Sequence, residues 1–116
     1  MKPILIALWL ACLAASAAAQ QSSLYVPAAP LVSTIATGGT AVTVFAASSI
    51  FRYADIINPP TATETLYVDI HGTASAGSST SIPLVPGAAY RVSGPINTAV
   101  TAVAATSAHA FVAVSY

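Results

Sequence analysis

Short runs of β-branched and apolar residues, separated by turn residues about every eight to twelve positions, constrain the fold of this chain most strongly. In the clearest run, residues 65–71, apolar side chains alternate with Tyr67, Asp69 and His71. Because successive side chains of a strand point to opposite faces, the alternation predicts one buried and one exposed face. The pattern predicts an all-β fold, a small antiparallel β-sandwich of about seven or eight strands. The predicted strands are 31–35, 41–45, 51–57, 65–71, 88–92, 100–104 and 110–116, with a short extended piece at 82–84.

Proline and glycine mark where these strands end. Two prolines follow Asn58 and stop the third strand, because proline has no N–H to donate to a sheet ladder. The segment 85–88 predicts a type II turn, since Pro86 takes its second position and Gly87 its third.

The first 19 residues have the composition of a secretory signal peptide. Lys2 gives a positive start, residues 4–15 are almost continuously apolar, and the alanines at 17–19 form a small-residue cleavage site. Residues 4–19 are too few to span a bilayer, which takes roughly 20 apolar residues. We therefore expect an apolar signal helix over 1–19, export to the periplasm or outside the cell, and no stable membrane span after cleavage.

Two alternatives for this segment are an uncleaved anchor and a lipid-modified Cys12. Trp9 stands where a lipoprotein signal carries a small aliphatic residue, which argues against lipidation. Cys12 is the only cysteine, so cleavage leaves a chain with no disulfide. Beyond it, we expect an extended arm and the first strand over 20–38, because two prolines interrupt the arm, and the sandwich domain over 39–116.

Charged residues are scarce, at 5% of the chain. No basic patch is available for nucleic acid, and no acidic cluster for calcium or magnesium. Lys2 belongs to the predicted signal peptide, and every other charged residue except Arg91 lies between Arg52 and Asp69. Within this stretch, Arg52 is expected to pair with Asp55 or Glu64. Edge strands usually carry charge to prevent pairing between copies. The nearly uncharged arm and C-terminal half are thus the predicted contact surfaces, and we expect a homo-oligomer or a complex with another assembly protein.

Candidate chemistry is sparse. Asp69 and His71 leave the same face of one strand and could join His109 in a site of two histidines and one carboxylate. Any alternating strand offers this spacing, and we expect instead a polar outward face with His109 as a terminal loop histidine, so we predict no metal and no cofactor. The chain also lacks the Gly-x-Ser-x-Gly elbow of many serine hydrolases. We predict that the protein is not an enzyme.

Tyrosines are the better candidates for a ligand or interface surface. Tyr67 is expected to face outward, and Tyr53 and Tyr90 lie on other predicted strands, with Asp69 and His71 nearby in sequence. Exposed aromatic rings on one face would bind a sugar ring. A secreted or periplasmic module that binds carbohydrate or another surface polymer is therefore the alternative function.

Several short motifs occur in a fixed order along the chain. They are Gly-Thr-Ala-Val-Thr-Val at 39–44, Arg52 before Ile-Ile-Asn-Pro at 56–59, Leu-Tyr-Val-Asp at 66–69, His-Gly-Thr-Ala at 71–74, Ile-Pro-Leu-Val-Pro-Gly at 82–87, Gly-Pro at 94–95 and Thr-Ser-Ala-His-Ala-Phe at 106–111. The order resembles a small β-sandwich module of tailed-phage and prophage virion accessory, or decoration-type, proteins. The resemblance implies a non-enzymatic structural or accessory subunit, in an extracellular assembly or a virion, and carries over no catalytic residue.

Overall fold

The computed structural model describes residues 31–116, and the predicted signal peptide and residues 20–30 lie outside this part. The described residues form an all-β fold, as predicted, and include no helix that could cross a membrane. Eight strands follow one another: β1 (Leu31–Ile35), β2 (Val42–Phe45), β3 (Tyr53–Ile57), β4 (Leu66–Asp69), β5 (Ile82–Leu84), β6 (Ala89–Ser93), β7 (Val100–Val103) and β8 (His109–Ser115).

The strands form two four-stranded antiparallel sheets. The first sheet has the order β1-β8-β3-β6, and the second has the order β2-β7-β4-β5. β1 pairs with β8 along all five of its residues, so the first sheet begins at Leu31. Strands β1 and β6 are the two edges of the first sheet, and β2 and β5 are the edges of the second.

One hydrophobic core lies between the sheets and gives the fold its sandwich-like form. Its largest fully buried side chains come from both sheets. Each such side chain contributes about 1.5–3 kcal/mol when it leaves water. The expected alternation is confirmed where β4 buries Leu66 and Val68 and leaves Tyr67 half-buried. The first sheet supplies Phe111, Ile35 and Ile56, and the second supplies Leu66, Val68 and Val100.

The outer face of β7 is also covered, by the loop 72–81. The Thr101 hydroxyl donates to the Gly72 carbonyl at 2.9 Å and accepts the Ala74 N–H at 2.8 Å. Val103, two residues along the same face, is buried but lies outside the central core cluster. All four β7 residues are buried.

The predicted turn at 85–88 forms. The Ala88 N–H donates to the Val85 carbonyl at 2.9 Å, and Gly87 has a φ of 84°. A positive φ at the third position is what a type II turn requires. This turn joins β5 to β6.

The alternation predicted for 65–71 fails at its end. Asp69 was expected on the exposed face, but it is buried because its carboxylate accepts the N–H groups of His71 at 2.8 Å and Gly72 at 2.8 Å. These bonds turn the chain out of the sheet, so β4 ends at Asp69. An aspartate that binds backbone N–H groups two and three residues ahead makes a local turn of its own.

Candidate functional site

The free edge of β6 is the first part of the candidate site. At the two ends of the β3–β6 ladder, the pairs 58–88 and 52–94 are hydrogen-bonded at 2.9 and 3.0 Å. Because bonded pairs alternate along an antiparallel ladder, every second residue of β6 directs its backbone N–H and C=O away from β3. The residues that do so are Ala89, Arg91 and Ser93. Within the described residues, their backbone N–H and C=O groups form no hydrogen bond with another backbone group.

A groove of about 480 Å³ runs along this free edge, and we call it the β6 groove. One wall consists of four consecutive β6 residues, 90–93, and the other of Ile70, His71 and the loop 95–98. The Thr98 hydroxyl donates to the Ile70 carbonyl at 2.9 Å and joins the two parts of the second wall. The groove therefore presents a free strand edge between apolar and polar side chains.

A charged and aromatic cluster lies beside the groove on the outer face of the first sheet. The Arg91 guanidinium donates to both carboxylate oxygens of Asp55, at 2.8 and 2.9 Å, and to the Tyr116 hydroxyl at 2.7 Å. The Tyr116 hydroxyl in turn donates to Asp55. The Arg91 guanidinium carbon lies 5.8 Å from the ring centre of Tyr53 and 5.7 Å from that of Tyr116. These are cation–π distances.

The protonation of this cluster follows from its contacts. The hydrogen bonds from Arg91, helped by Tyr116, hold the pKa of Asp55 below its ordinary value. The same hydrogen bonding with Asp55 raises the pKa of Arg91 and of Tyr116. Asp55 is thus a carboxylate, Arg91 a guanidinium and Tyr116 a neutral hydroxyl at neutral pH. The predicted pairing of Arg52 with Asp55 or Glu64 is wrong, because Asp55 binds Arg91 and Glu64 binds His109.

The structure distributes the predicted site residues over three surfaces. His71 and Tyr90 come together in the β6 groove. Tyr53 lies on the outer face of the first sheet, against Arg91. Tyr67 lies on the outer face of the second sheet, and Asp69 is buried at the end of β4.

A second polar cluster, around Asn58, is buried. The Asn58 amide nitrogen donates to the Glu64 carbonyl at 2.9 Å and to the Leu84 carbonyl at 2.8 Å. Its remaining oxygen therefore accepts from His109 Nε2, 3.0 Å away. The other ring nitrogen, Nδ1, lies 3.2 Å from the Glu64 carboxylate. His109 is thus not the loop histidine that we expected: it begins β8 and is buried.

Glu64 completes this cluster. Its carboxylate accepts the Thr106 N–H at 3.1 and 3.2 Å and also the Thr106 hydroxyl. The hydrogen bond from the Thr106 hydroxyl is the main cause of the lowered pKa of Glu64. His109 lowers this pKa further. A shallow cavity of about 320 Å³ lies beside the cluster, between the loop 59–63 and residues 106–110. The polar side chains of this cluster are bonded to one another and to backbone groups of the neighbouring segments, so the cluster holds loops together.

Of the three residues considered for a metal site, Asp69 and His71 are adjacent in the structure, and His109 belongs to a different cluster. Asp69 binds backbone N–H groups, and His109 binds Asn58 and Glu64. Among residues 31–116, no three His, Cys, Asp or Glu side chains form a group that could hold a metal ion.

Sequence reasoning missed Arg91, Ile70 and the loop 95–98 as parts of the site. Arg91 carried a signal, since it is the one charged residue outside 52–69 when the predicted signal segment is set aside. The loop carried none, because its role depends on the contact of Thr98 with Ile70.

Comparison with known proteins found no matching family, curated protein or solved structure. The resemblance to phage virion accessory modules therefore stays a prediction.

Proposed function

We propose that the mature chain is a non-enzymatic structural or accessory subunit of an exported assembly, outside the cell or in a virion. It acts by self-association or by contact with another assembly protein. Export rests on the signal sequence of residues 1–19, and the contact function rests on the sheet edges.

The observation that carries the proposal is the absence of free charge on the edge strands. Strands β1, β2 and β5 contain no charged residue, and the only charge of β6, Arg91, is bound to Asp55 on the sheet face. Edge strands commonly use charge, proline or bulges to prevent pairing with other chains. Pro83 protects the three-residue β5, and a register shift interrupts β2. Strands β1 and β6, each five residues long, have no such protection among the described residues.

Sedimentation velocity of the mature chain, from low to high micromolar concentration, tests the proposal. We expect the sedimentation coefficient to rise with concentration. A double variant with one lysine on each long edge, Thr34→Lys with Ala89→Lys, is expected to associate less. The control, Ser75→Lys with Ser79→Lys, has the same net charge but carries it on the exposed part of loop 72–81 and should associate like the native chain. A monomer at every concentration would overturn self-association.

A second candidate is the binding of carbohydrate or another surface polymer. The β6 groove supports it, because Tyr90, His71 and Asn97 line one cavity and offer a ring, an imidazole and an amide. Tyr53 and Tyr67 lie on other surfaces, so the three tyrosines do not form one platform. A glycan array with the native chain and Tyr90→Ala tests this function: binding that the variant loses supports it, and an array without hits contradicts it.

A further inference from the structure

We propose that residues 24–26 of one copy add as a fifth strand to the β6 groove of a second copy. The inference rests on the proposed self-association and names its contact: the arm of one copy and the free edge of β6 in the next. Binding by strand addition obtains its affinity from main-chain hydrogen bonds and its specificity from pockets for alternate side chains.

The acceptor side offers both elements. Ala89, Arg91 and Ser93 supply three N–H and three C=O groups that face away from β3. Ile70 and Tyr90 supply apolar surface on the groove walls. The charge that would oppose an incoming strand is held on the sheet face, since Asp55 binds Arg91 with two hydrogen bonds.

The donor side is the arm, whose sequence is Gln-Gln-Ser-Ser-Leu-Tyr-Val-Pro-Ala-Ala-Pro over residues 20–30. It has no charge. Leu24 and Val26 would share one face of a strand and enter the groove, while Tyr25 would take the opposite face. Pro27 follows and ends the segment that can pair, because it has no N–H to donate.

The lengths indicate that the donor belongs to another copy. Pairing places Leu31 opposite Ala113, Ala113 opposite Ile56, and Ile56 opposite Tyr90, so the start of β1 lies in the same row as Tyr90. A strand beyond β6 lies four strand spacings from β1, about 19 Å. Val26 is five residues before Leu31, a reach of about 18 Å at full extension. With prolines at 27 and 30 that favour a rise of about 3.1 Å per residue, the reach is about 16 Å.

Each copy therefore has a donor beside one edge of its first sheet and an acceptor at the other edge. An interface of two different surfaces is heterologous and produces rings or open chains of subunits. The groove of one copy is filled by the arm of the next, and the first sheet continues from one subunit into another.

Cysteine pairing tests this contact, because the chain without residues 1–19 contains no cysteine. Ser23→Cys labels the arm, and Ser93→Cys and Ala89→Cys label the two ends of the β6 edge. The arm variant is prepared with ¹⁵N, mixed with one unlabelled edge variant under mild oxidation, and the linked peptides are read by mass spectrometry. We expect a ¹⁵N–¹⁴N disulfide with one of the two edge positions, and that position gives the strand direction. Ser79→Cys, on the exposed part of loop 72–81, is the matched control and should give no more than background pairing.

The double variant Ser23→Cys with Ser93→Cys or Ala89→Cys, mixed as ¹⁵N and ¹⁴N chains, separates the possible outcomes. Linked peptides of mixed isotope support the contact between copies. Linked peptides of one isotope only, in a monomer, would overturn it in favour of the chain's own arm. Native association in sedimentation without any arm–edge link would overturn the inference and leave the proposed function standing.

A second variant pair keeps the test independent of cysteine chemistry. Leu24→Asp with Val26→Asp changes the arm alone, and Ala89→Pro removes one free N–H at the first residue of β6, a strand position that tolerates proline. Both are expected to shift the association to at least tenfold higher concentration. Ser22→Asp with Ser23→Asp is the control of equal charge outside the pairing segment and should shift it less. Association unchanged by both test variants would contradict the inference.

Discussion

Arg91 lies directly opposite Asp55 in the antiparallel register of β6 and β3, and its guanidinium binds the carboxylate at 2.8 and 2.9 Å. This pair carries the only cation of β6 and fixes it on the face of the sheet. The backbone edge of the same strand stays uncharged. The ion pair thus links the stability of the domain to the chemistry of its exposed edge.

Asp55→Asn is expected to reduce the free energy of unfolding at pH 7 only slightly, because the Arg91 side chain is 60% exposed and solvent screens the pair. The folded state lowers the pKa of Asp55. The pair therefore stabilises the fold above the ordinary pKa of 3.8, and this contribution is lost as the pH falls through the lower folded value. Urea unfolding of both proteins across this range measures the effect. Arg52→Gln is the control, since Arg52 forms no ion pair among residues 31–116, and an equal pH dependence in both variants would contradict the assignment.

The Asp55–Arg91 ion pair is also expected to affect self-association. The direction of this effect does not follow from the effect of the pair on stability. Asp55→Asn frees the Arg91 charge beside the β6 edge and should weaken self-association several-fold. Arg91→Gln breaks the same pair but leaves the unpaired charge on Asp55, in β3 and one strand away from the β6 edge, so association should weaken less than in Asp55→Asn. Sedimentation equilibrium measures both, and an equal loss in the two variants would mean that the charge does not guard the edge.

Asn58→Ala is expected to destabilise the fold by about 3 kcal/mol or more, because buried groups that lose their partners cost about 1–3 kcal/mol each. The Asn58 side chain is fully buried. It donates to the carbonyls of Glu64 and Leu84 and accepts from the ring of His109. Asn97→Ala, at an exposed asparagine, should stay within about 0.5 kcal/mol of the native protein. Chemical denaturation measures both, and similar values for the two variants would exclude a structural role for this cluster.

Thr101→Val is expected to loosen the loop 72–81 from the outer face of β7. The change keeps the shape of the side chain and removes the hydroxyl that binds Gly72 and Ala74, at a cost of about 1–2 kcal/mol. Hydrogen exchange should become faster in the loop. Thr43→Val is the control, because Thr43 is exposed on β2 and lies opposite Thr101 of β7. This change should leave the loop protected. Faster exchange in neither protein would show that other contacts hold the loop.

Gly94→Ala is expected to destabilise the fold by about 2 kcal/mol or more, since a clash with backbone atoms forces the chain to shift. A Cβ atom at Gly94 would lie 2.0 Å from the Phe51 carbonyl oxygen. Gly72→Ala is the matched control, because its nearest neighbour would be 3.8 Å away. Thermal unfolding of the two variants compares them, and equal melting temperatures would rule out the close approach at Gly94.

The strands were predictable because their signal is local. Alternation places Leu66 and Val68 in the core without knowledge of any partner, and Pro86-Gly87 specifies its turn within four residues. Asp69 breaks the alternation because its carboxylate accepts the backbone N–H groups of His71 and Gly72. This local turn ends the strand before the two-residue period can continue.

The polar contacts were not predictable because they join distant parts of the chain. His109 and Asn58 are 51 residues apart, and Arg91 and Asp55 are 36 apart. Nothing in a linear pattern distinguishes Arg91 from Arg52 as the partner of Asp55. The strand order decides, because it places β6 beside β3.

The strand order β1-β8-β3-β6 also gives the molecule a direction. If arms fill grooves between copies, every assembly that does not close into a ring has one terminal subunit with an empty acceptor and another with an unused donor. Its two ends would then grow at different rates. A copy without an arm would still accept the last unused arm in its own groove but would offer no arm to a further copy, so it would stop extension at that end, and the ratio of arm-deficient to intact chains would regulate length.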